Sequence, residues 1–303
     1  MATRLDSVCG IDITKDSISI AQYSAADNTV ANASIVPLDD ADSAADLISS
    51  LKAKFRKVAS QMHCEGQAAA VAMSANSAVV KILMLDADEK DVREAIGWEL
   101  GQHIVGTMDD YSFDYEPLAA AGGSVRRFLA VAYRSANVQK LVSLLKSARI
   151  SPFVVDLDIF ALIDVFEANY RENIASPAVI VHGCGDSSRL VLTEGGAFLD
   201  FDVVEHRGGH AAADAYASQL QDAMGRSFAG TNAGFETYVT GPLFSDPDFS
   251  ESVCSRLGSA RVLDPFKAVR STVAIPGEEL VKCIPYLAVA VGLSLRCAAE
   301  ADA

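Results

Sequence analysis

The chain has 303 residues, 50% of them hydrophobic, enough to bury a sizeable core in one large domain or two ordinary ones. Its 25 Lys and Arg stand against 40 Asp and Glu, a formal net charge of −15, which disfavours broad contact with a phosphate backbone and excludes nucleic acid as an expected partner. Six cysteines (Cys9, Cys64, Cys184, Cys254, Cys283, Cys297) form no CxxC pair and have no His at ligand spacing, so buried thiols in a reducing compartment are expected, with neither zinc nor disulfides.

In chain order, Ser7–Ile13 and Ser17–Tyr23 read as strands joined by Thr14-Lys15-Asp16, and Thr29–Pro37 adds a third to make an antiparallel meander. A helix is expected from about Asp42 to Met62, with Leu47, Leu51, Phe55 and Val58 on one face. After a strand at Ala68–Met73 comes a compact run: strand Val79–Leu85, helix Glu89–His103, then strands Tyr111–Leu118 and Arg127–Tyr133. Asp86, with Glu89 three residues on, predicts the N-cap of that helix, and Val92, Ile96 and Leu100 form its apolar stripe. Trp98 is expected to pack inside the same unit.

Asn137–Ala148 carries Val138, Leu141, Val142 and Leu145 at the spacing of an amphipathic helix. A short strand at Phe153–Asp156 leads to a helix with Ile159, Leu162, Ile163 and Phe166 on one face. From Ala178 the opening recurs: strand Ala178–His182, turn Gly183-Cys184-Gly185-Asp186, then strands Ser187–Thr193 and Ala197–Val204. Gly208-Gly209-His210 then opens a helix over Ala211–Met224. The first six residues contain no apolar signal region, and the longest charge-free apolar stretch, Cys283–Leu295, reads as too short to span a bilayer; a cytoplasmic protein without membrane insertion is expected.

Two strand-turn-strand-strand-helix halves point to an internal duplication. A meander feeding crossover helices, made twice with a cleft between, is the layout of the actin, hexokinase and Hsp70 superfamily. The expected fold class is therefore α/β, a duplicated actin-like (ribonuclease H-like) fold with an inserted strand-helix-strand subdomain. Its expected parts are a first lobe at 1–75 and 151–174, the insertion at 76–150, a second lobe at 175–280, and a closing helix at 281–303 that packs back on the first lobe.

Several segments carry a more specific resemblance. Gly10-Ile11-Asp12-Ile13, the strand Val79–Leu85, the run Glu94-Ala95-Ile96-Gly97-Trp98-Glu99-Leu100, Tyr111-Ser112-Phe113-Asp114-Tyr115, Phe128–Ala132, Asp156–Leu162 and the closing Pro285–Arg296 together resemble the PilM family of type IV pilus assembly over nearly the whole chain. The middle segments resemble the subdomain that sets PilM and FtsA apart from actin. The resemblance implies a scaffold at the inner face of the bacterial inner membrane. A groove between core and insertion would hold the N-terminal cytoplasmic tail of a single-span, PilN-like membrane protein as an extended peptide. Pilus motor proteins are further implied partners.

In this superfamily two hairpin turns grip nucleotide phosphates while an aspartate positions magnesium or water, so ATP or ADP with Mg is the implied cofactor. The matching positions are Asp12, Thr14, Lys15 and Ser17 in the first hairpin, Gly183 and Gly185 in the second, Gly208 and Gly209 before a helix, and Gly241 in the adenosine-side loop. Asp16 beside Lys15 would repel a phosphate, His182 stands where the second aspartate is expected, and imidazole is a poor partner for the hard magnesium ion. Pro242 and Leu243 follow Gly241 where the family has glycines. These departures predict a degenerate site without turnover and no catalytic residue. Without the resemblance, the same residues are ordinary hairpin turns and a helix cap. His182, His206 and His210 could meet near the cleft but lack metal-ligand spacing, and no Gly-x-Ser-x-Gly elbow is present. An ATPase or small-molecule kinase, and an FtsA-like filament former, are the alternatives to the scaffold.

Overall fold

A computed structural model describes residues 7–38, 44–118, 125–185, 187–206, 212–229, 234–258 and 260–302. The chain forms two compact units, one built from residues up to 73 together with 145 onward, the other from 74–144.

The larger unit opens with β1 (Ser7–Ile13), β2 (Ser17–Ser24) and β3 (Thr29–Pro37), the expected meander, in which Asp12 lies opposite Ser19 and Ile13 opposite Ile18. Helix α1 (Ala44–Gln61) buries Phe55 and Val58 and returns the chain to β4 (Ala68–Met73), parallel to β1.

The smaller unit holds β5 (Val79–Asp86), α2 (Val92–Gly101), β6 (Tyr111–Leu118), β7 (Val125–Arg134) and the start of α3 (Ser135–Ser147). Its three strands run β5-β7-β6, all antiparallel, and α2 lays Ile96 and Leu100 on Leu83, Leu85 and Phe128. Two expectations are corrected here. The N-cap of α2 is Asp91, not Asp86: its carboxylate accepts the Glu94 N–H at 3.0 Å, whereas Asp86 ends β5 and its carbonyl accepts the Glu89 N–H at 3.1 Å. Trp98 is 68% exposed, because two residues along a helix from Ile96 is about 200° around the axis and faces away from the sheet.

The chain then re-enters the larger unit through β8 (Ser151–Leu157), α4 (Asp158–Asn169), β9 (Ala178–Gly183), β10 (Ser187–Glu194), β11 (Ala197–Glu205), α5 (Ala213–Ser227), β12 (Glu236–Thr240), α6 (Pro247–Arg256), β13 (Arg261–Val262), β14 (Arg270–Ser271) and α7 (Gly277–Asp302). The two sheets of this unit run β14-β3-β2-β1-β4-β8 and β11-β10-β9-β12-β13. Apart from β14, a two-residue addition at one edge, the second order repeats the first strand for strand, including two antiparallel pairings followed by two parallel ones. The duplication expected from the repeated meander is therefore present.

Helix α7 ties the unit together. A Cβ on Gly10 of β1 would lie 1.9 Å from the Ala290 carbonyl oxygen, and one on Gly292 would lie 1.9 Å from the Ala161 carbonyl oxygen of α4, so both crossings depend on bare backbone. Leu287, Val289, Val291 and Leu293 of α7 are fully or almost fully buried. By length and composition alone Glu279–Ala301 could cross a bilayer, but 56% of its most apolar 18-residue window is buried within the protein, as in the core helix of a folded unit.

Candidate functional site

The β1–β2 and β9–β10 hairpins, equivalent by duplication, close with the same turn. The Thr14 N–H donates to the Ser17 carbonyl at 2.9 Å, and the Cys184 N–H donates to the Ser187 carbonyl at 2.9 Å. In the first turn the Thr14 hydroxyl oxygen accepts the N–H groups of Asp16 at 3.2 Å and Ser17 at 3.1 Å, so it is engaged locally; the Lys15 side chain is exposed. The Asp16 carboxylate reaches across to the second turn and accepts the Gly185 N–H at 3.0 Å. A Cβ on Gly185 would stand 3.0 Å from that carboxylate, so the glycine permits the approach.

Beside the turns lies a set of buried charges. Asp158, at the start of α4, accepts the Ile159 N–H at 2.9 Å with one oxygen and the Arg189 Nε–H at 2.6 Å with the other. Both side chains of this ion pair are buried, at 6% and 3% exposure. Arg189 sits on β10 directly opposite His182 of β9. Its Nη1 is buried with no hydrogen-bond partner among the described residues. Burial works against the Arg189 charge, but Asp158, then Cys184 and Asp12, more than offset it and raise its pKa. Asp12 is pushed up to about 7, first by burial and then by Asp158, against the opposing pull of Arg189. Burial, then Arg189, holds His182 well below the usual histidine range, so its ring is neutral. The Cys184 sulfur is 3.9 Å and 4.0 Å from the two His182 ring nitrogens, and burial pushes the thiol up, so it is no thiolate nucleophile.

The third wall follows β12. Gly241 has φ +96°, and its missing Cβ would lie 2.4 Å from the Gly183 carbonyl oxygen, so glycine is required there by both conformation and space. Its N–H and the Thr240 hydroxyl both donate to the Pro285 carbonyl, at 2.9 Å and 3.0 Å, anchoring this loop to α7. The next residues turn back on the second hairpin: a Cβ on Gly183 would meet Phe244 at 2.8 Å, the Tyr216 hydroxyl at 2.9 Å and Leu243 at 3.2 Å. The Ser188 hydroxyl bridges the Tyr216 hydroxyl at 2.7 Å and His206 Nε2 at 2.8 Å, which accounts for the second of the three candidate histidines.

Asp12, Thr14, Ser17, Gly183, Gly185 and Gly241 thus fall on the two hairpins and the adjoining loop, with the Lys15 side chain outward; Gly208, Gly209 and His210 lie outside the described residues. Asp158 and Arg189 were not singled out from sequence. An ion pair between residues 31 apart has no periodic signature, and the cue that existed was an arginine inside an otherwise apolar strand.

The arrangement does not fit nucleotide with magnesium. The Asp158 carboxylate is already paired with the Arg189 guanidinium, the Asp16 carboxylate already takes the Gly185 amide, and Leu243, Phe244 and Tyr216 crowd Gly183. No cluster of three or more His, Cys, Asp or Glu among the described residues is placed to hold a metal ion.

Burial of carboxyls makes stability depend on pH. Asp12 rises from 3.8 to about 7 in the fold, and Asp164 of α4, one oxygen of which is buried without a partner among the described residues, does the same through burial and then Asp156. A raised carboxyl favours the folded state below the unfolded pKa near 4, and that advantage is lost as pH climbs through 7. Stability is expected to fall by on the order of 2–4 kcal/mol for each group between pH 4 and pH 8. Urea unfolding at pH 5 and pH 8 checks this: Asp164→Asn should flatten the decline, and an unchanged slope counts against it.

Compared with known proteins, the model of the family described as type IV pilus assembly protein PilM matches residues 10–179. Among solved structures, a PilM-PilN type IV pilus biogenesis complex superposes with TM-score 0.81 at 17% identity, over 98% of this chain and 99% of that one. The cytoplasmic domain of EpsL, an inner-membrane component of the Vibrio cholerae type II secretion system, gives TM-score 0.52 at 12% identity over 91% and 92% of the two chains. A Bacteroides thetaiotaomicron protein with an actin-like ATPase fold and unknown function gives TM-score 0.52 at 12% identity over 92% and 97%. No curated protein matches.

Proposed function

Because the chain belongs to the type IV pilus assembly protein PilM family, an actin-like component of that machinery, we propose that it acts as a scaffold: it binds the N-terminal cytoplasmic tail of a PilN-like single-span protein at the inner face of the inner membrane and turns over no nucleotide. The observation that carries this reading is that the family match runs through residues 74–144, the separate compact unit, as well as through the first half of the larger one. The PilM-PilN complex, matched over 98% of this chain, supports the choice of partner.

The chemistry is compatible with a peptide. The sheet of the smaller unit ends on β6, whose outer edge pairs with no strand among the described residues, and an extended tail can add to such an edge through main-chain hydrogen bonds. A net charge of −15 steers a tail rich in Lys or Arg toward the surface. For the cleft, the buried Arg189–Asp158 pair favours a degenerate site over an ATPase or kinase, since neither group is free to hold metal or activate a nucleophile. The scaffold reading is tested by titrating the protein with a synthetic peptide of the partner's N-terminal tail. Saturable one-to-one binding, lost when the peptide is scrambled, is expected; equal binding of both peptides overturns the assignment of the partner.

A further inference from the structure

At the β13 edge of the second sheet lies a cavity of about 370 Å³, within the size range of small-ligand pockets, walled by α6, the turn after β12, β13 and the first turns of α7. All of its walls belong to the larger unit, and of the side chains that crowd Gly183 it shares only Phe244. Helix α6 splits its two faces between core and cavity. Phe249 and Val253 pack into the core around β12, whereas Ser250, Glu251 and Cys254, spaced by three and four, line the cavity. Its walls are mostly apolar, with Val262 and Ile284 among them, and Val281, 56% exposed, leaves a large apolar side chain in water at its rim. Ser250 is 5% exposed, and its hydroxyl has no hydrogen-bond partner among the described residues beyond the weak thiol of Cys254. A buried hydroxyl left without a good partner costs stability, and a ligand that supplies the bond recovers it. The charged lining residues are both acids, exposed Glu251 and half-buried Asp264, which spends one oxygen on the Phe266 N–H at 2.8 Å.

We propose that this cavity binds a small apolar amine carrying a second hydrogen-bonding group: the apolar body fills the space among α6, β13 and α7, the ammonium lies by Glu251 and Asp264, and the second group meets the Ser250 hydroxyl. The same two carboxylates repel anions, phosphates included, and so set the sign of the ligand's charge. The site goes beyond the scaffold reading and does not rest on it, since neither the hairpin turns nor the smaller unit contributes to its walls.

The test uses the full chain with tyramine, phenethylamine and phloretate as probes, molecules of similar apolar body that differ in hydroxyl and in charge. In titrations followed by ligand-observed NMR, tyramine binds saturably and at least roughly tenfold more tightly than phloretate, a preference that narrows in high salt. Phenethylamine binds more weakly than tyramine. Glu251→Gln, at an exposed helix position, reduces the preference for the amine, and Ser250→Ala removes the advantage of tyramine over phenethylamine. A readout on the wild type needs no variant to fold: saturating tyramine slows alkylation of Cys254 by iodoacetamide, followed by peptide mass spectrometry, and leaves the half-buried Cys283, outside the cavity lining, unchanged. If neither amine binds, or phloretate binds as well as tyramine, the inference falls and the scaffold reading stands. Amine binding that leaves Cys254 unprotected places the ligand elsewhere and overturns the site.

Discussion

Replacing Arg189 by methionine is expected to destabilise the protein by about 3–5 kcal/mol, a large part of the 5–15 kcal/mol that holds a typical domain together. The loss comes from what remains: the Asp158 carboxylate, 3% exposed, keeps its burial and loses its partner at 2.6 Å, while Asp12 loses the charge that opposes its neutralisation. Removing both partners is a different matter. Asp158→Leu with Arg189→Met leaves no unpaired charge, and pairs of this kind are often replaced by apolar groups at little cost. Chemical denaturation of the two single variants and the double variant reads this directly. The double variant should recover most of the loss, and a double variant as unstable as the sum of the singles would contradict the assignment of the cost to an orphaned charge.

The second large effect lies at the crossing of α7 over β1. Gly10→Ala places a methyl group 1.9 Å from the Ala290 carbonyl oxygen and 2.5 Å from the Ser294 amide nitrogen, and both obstacles are helix backbone that cannot rotate away. The helix must back off the strand, opening contacts among side chains that are fully buried, and a loss on the order of 4 kcal/mol or failure to accumulate as folded protein is expected. Gly225→Ala is the control: it sits in α5 with nothing within 4 Å of its Cβ, and alanine there should raise stability by roughly 0.5–1 kcal/mol through helix propensity. Thermal unfolding of both variants separates a packing cost from a general intolerance of Gly→Ala. A Gly10→Ala protein as stable as the wild type would show that the crossing is looser than described.

The duplicated core was legible because its signal is periodic and local. β-leaning runs at 7–24 recur at 178–194 around equivalent turns, and the strand order β3-β2-β1-β4-β8 is repeated by β11-β10-β9-β12-β13. Where local signals compete, the reading fails. Asp86…Glu89 and Asp91…Glu94 both have the spacing of a capping box, and the choice falls on the second because Leu85 is buried in β5 and Asp86 pairs in register with Val125, which keeps the chain extended through the first frame. Residue type alone points Trp98 to the core, whereas the stripe of Val92, Ile96 and Leu100 implies that position 98 faces outward. The cleft was the least legible part. Its turns could be located from Gly183, Gly185 and Asp12, but its charge balance rests on Asp158, Arg189 and the Asp16–Gly185 bond, contacts that span 31 and 169 residues and exist only once both halves are folded.

The central claim is that this chain is a scaffold whose partner recognition does not wait for nucleotide. Calorimetric titration with the N-terminal tail peptide of its PilN-like partner, run without nucleotide and again with magnesium-ATP, tests it most directly. The account predicts micromolar, saturable binding with the same affinity in both runs, because the Gly185 amide and the Asp158 carboxylate already have partners within the protein. Binding that emerges only once magnesium-ATP is present would contradict it, and would make the cleft a working switch.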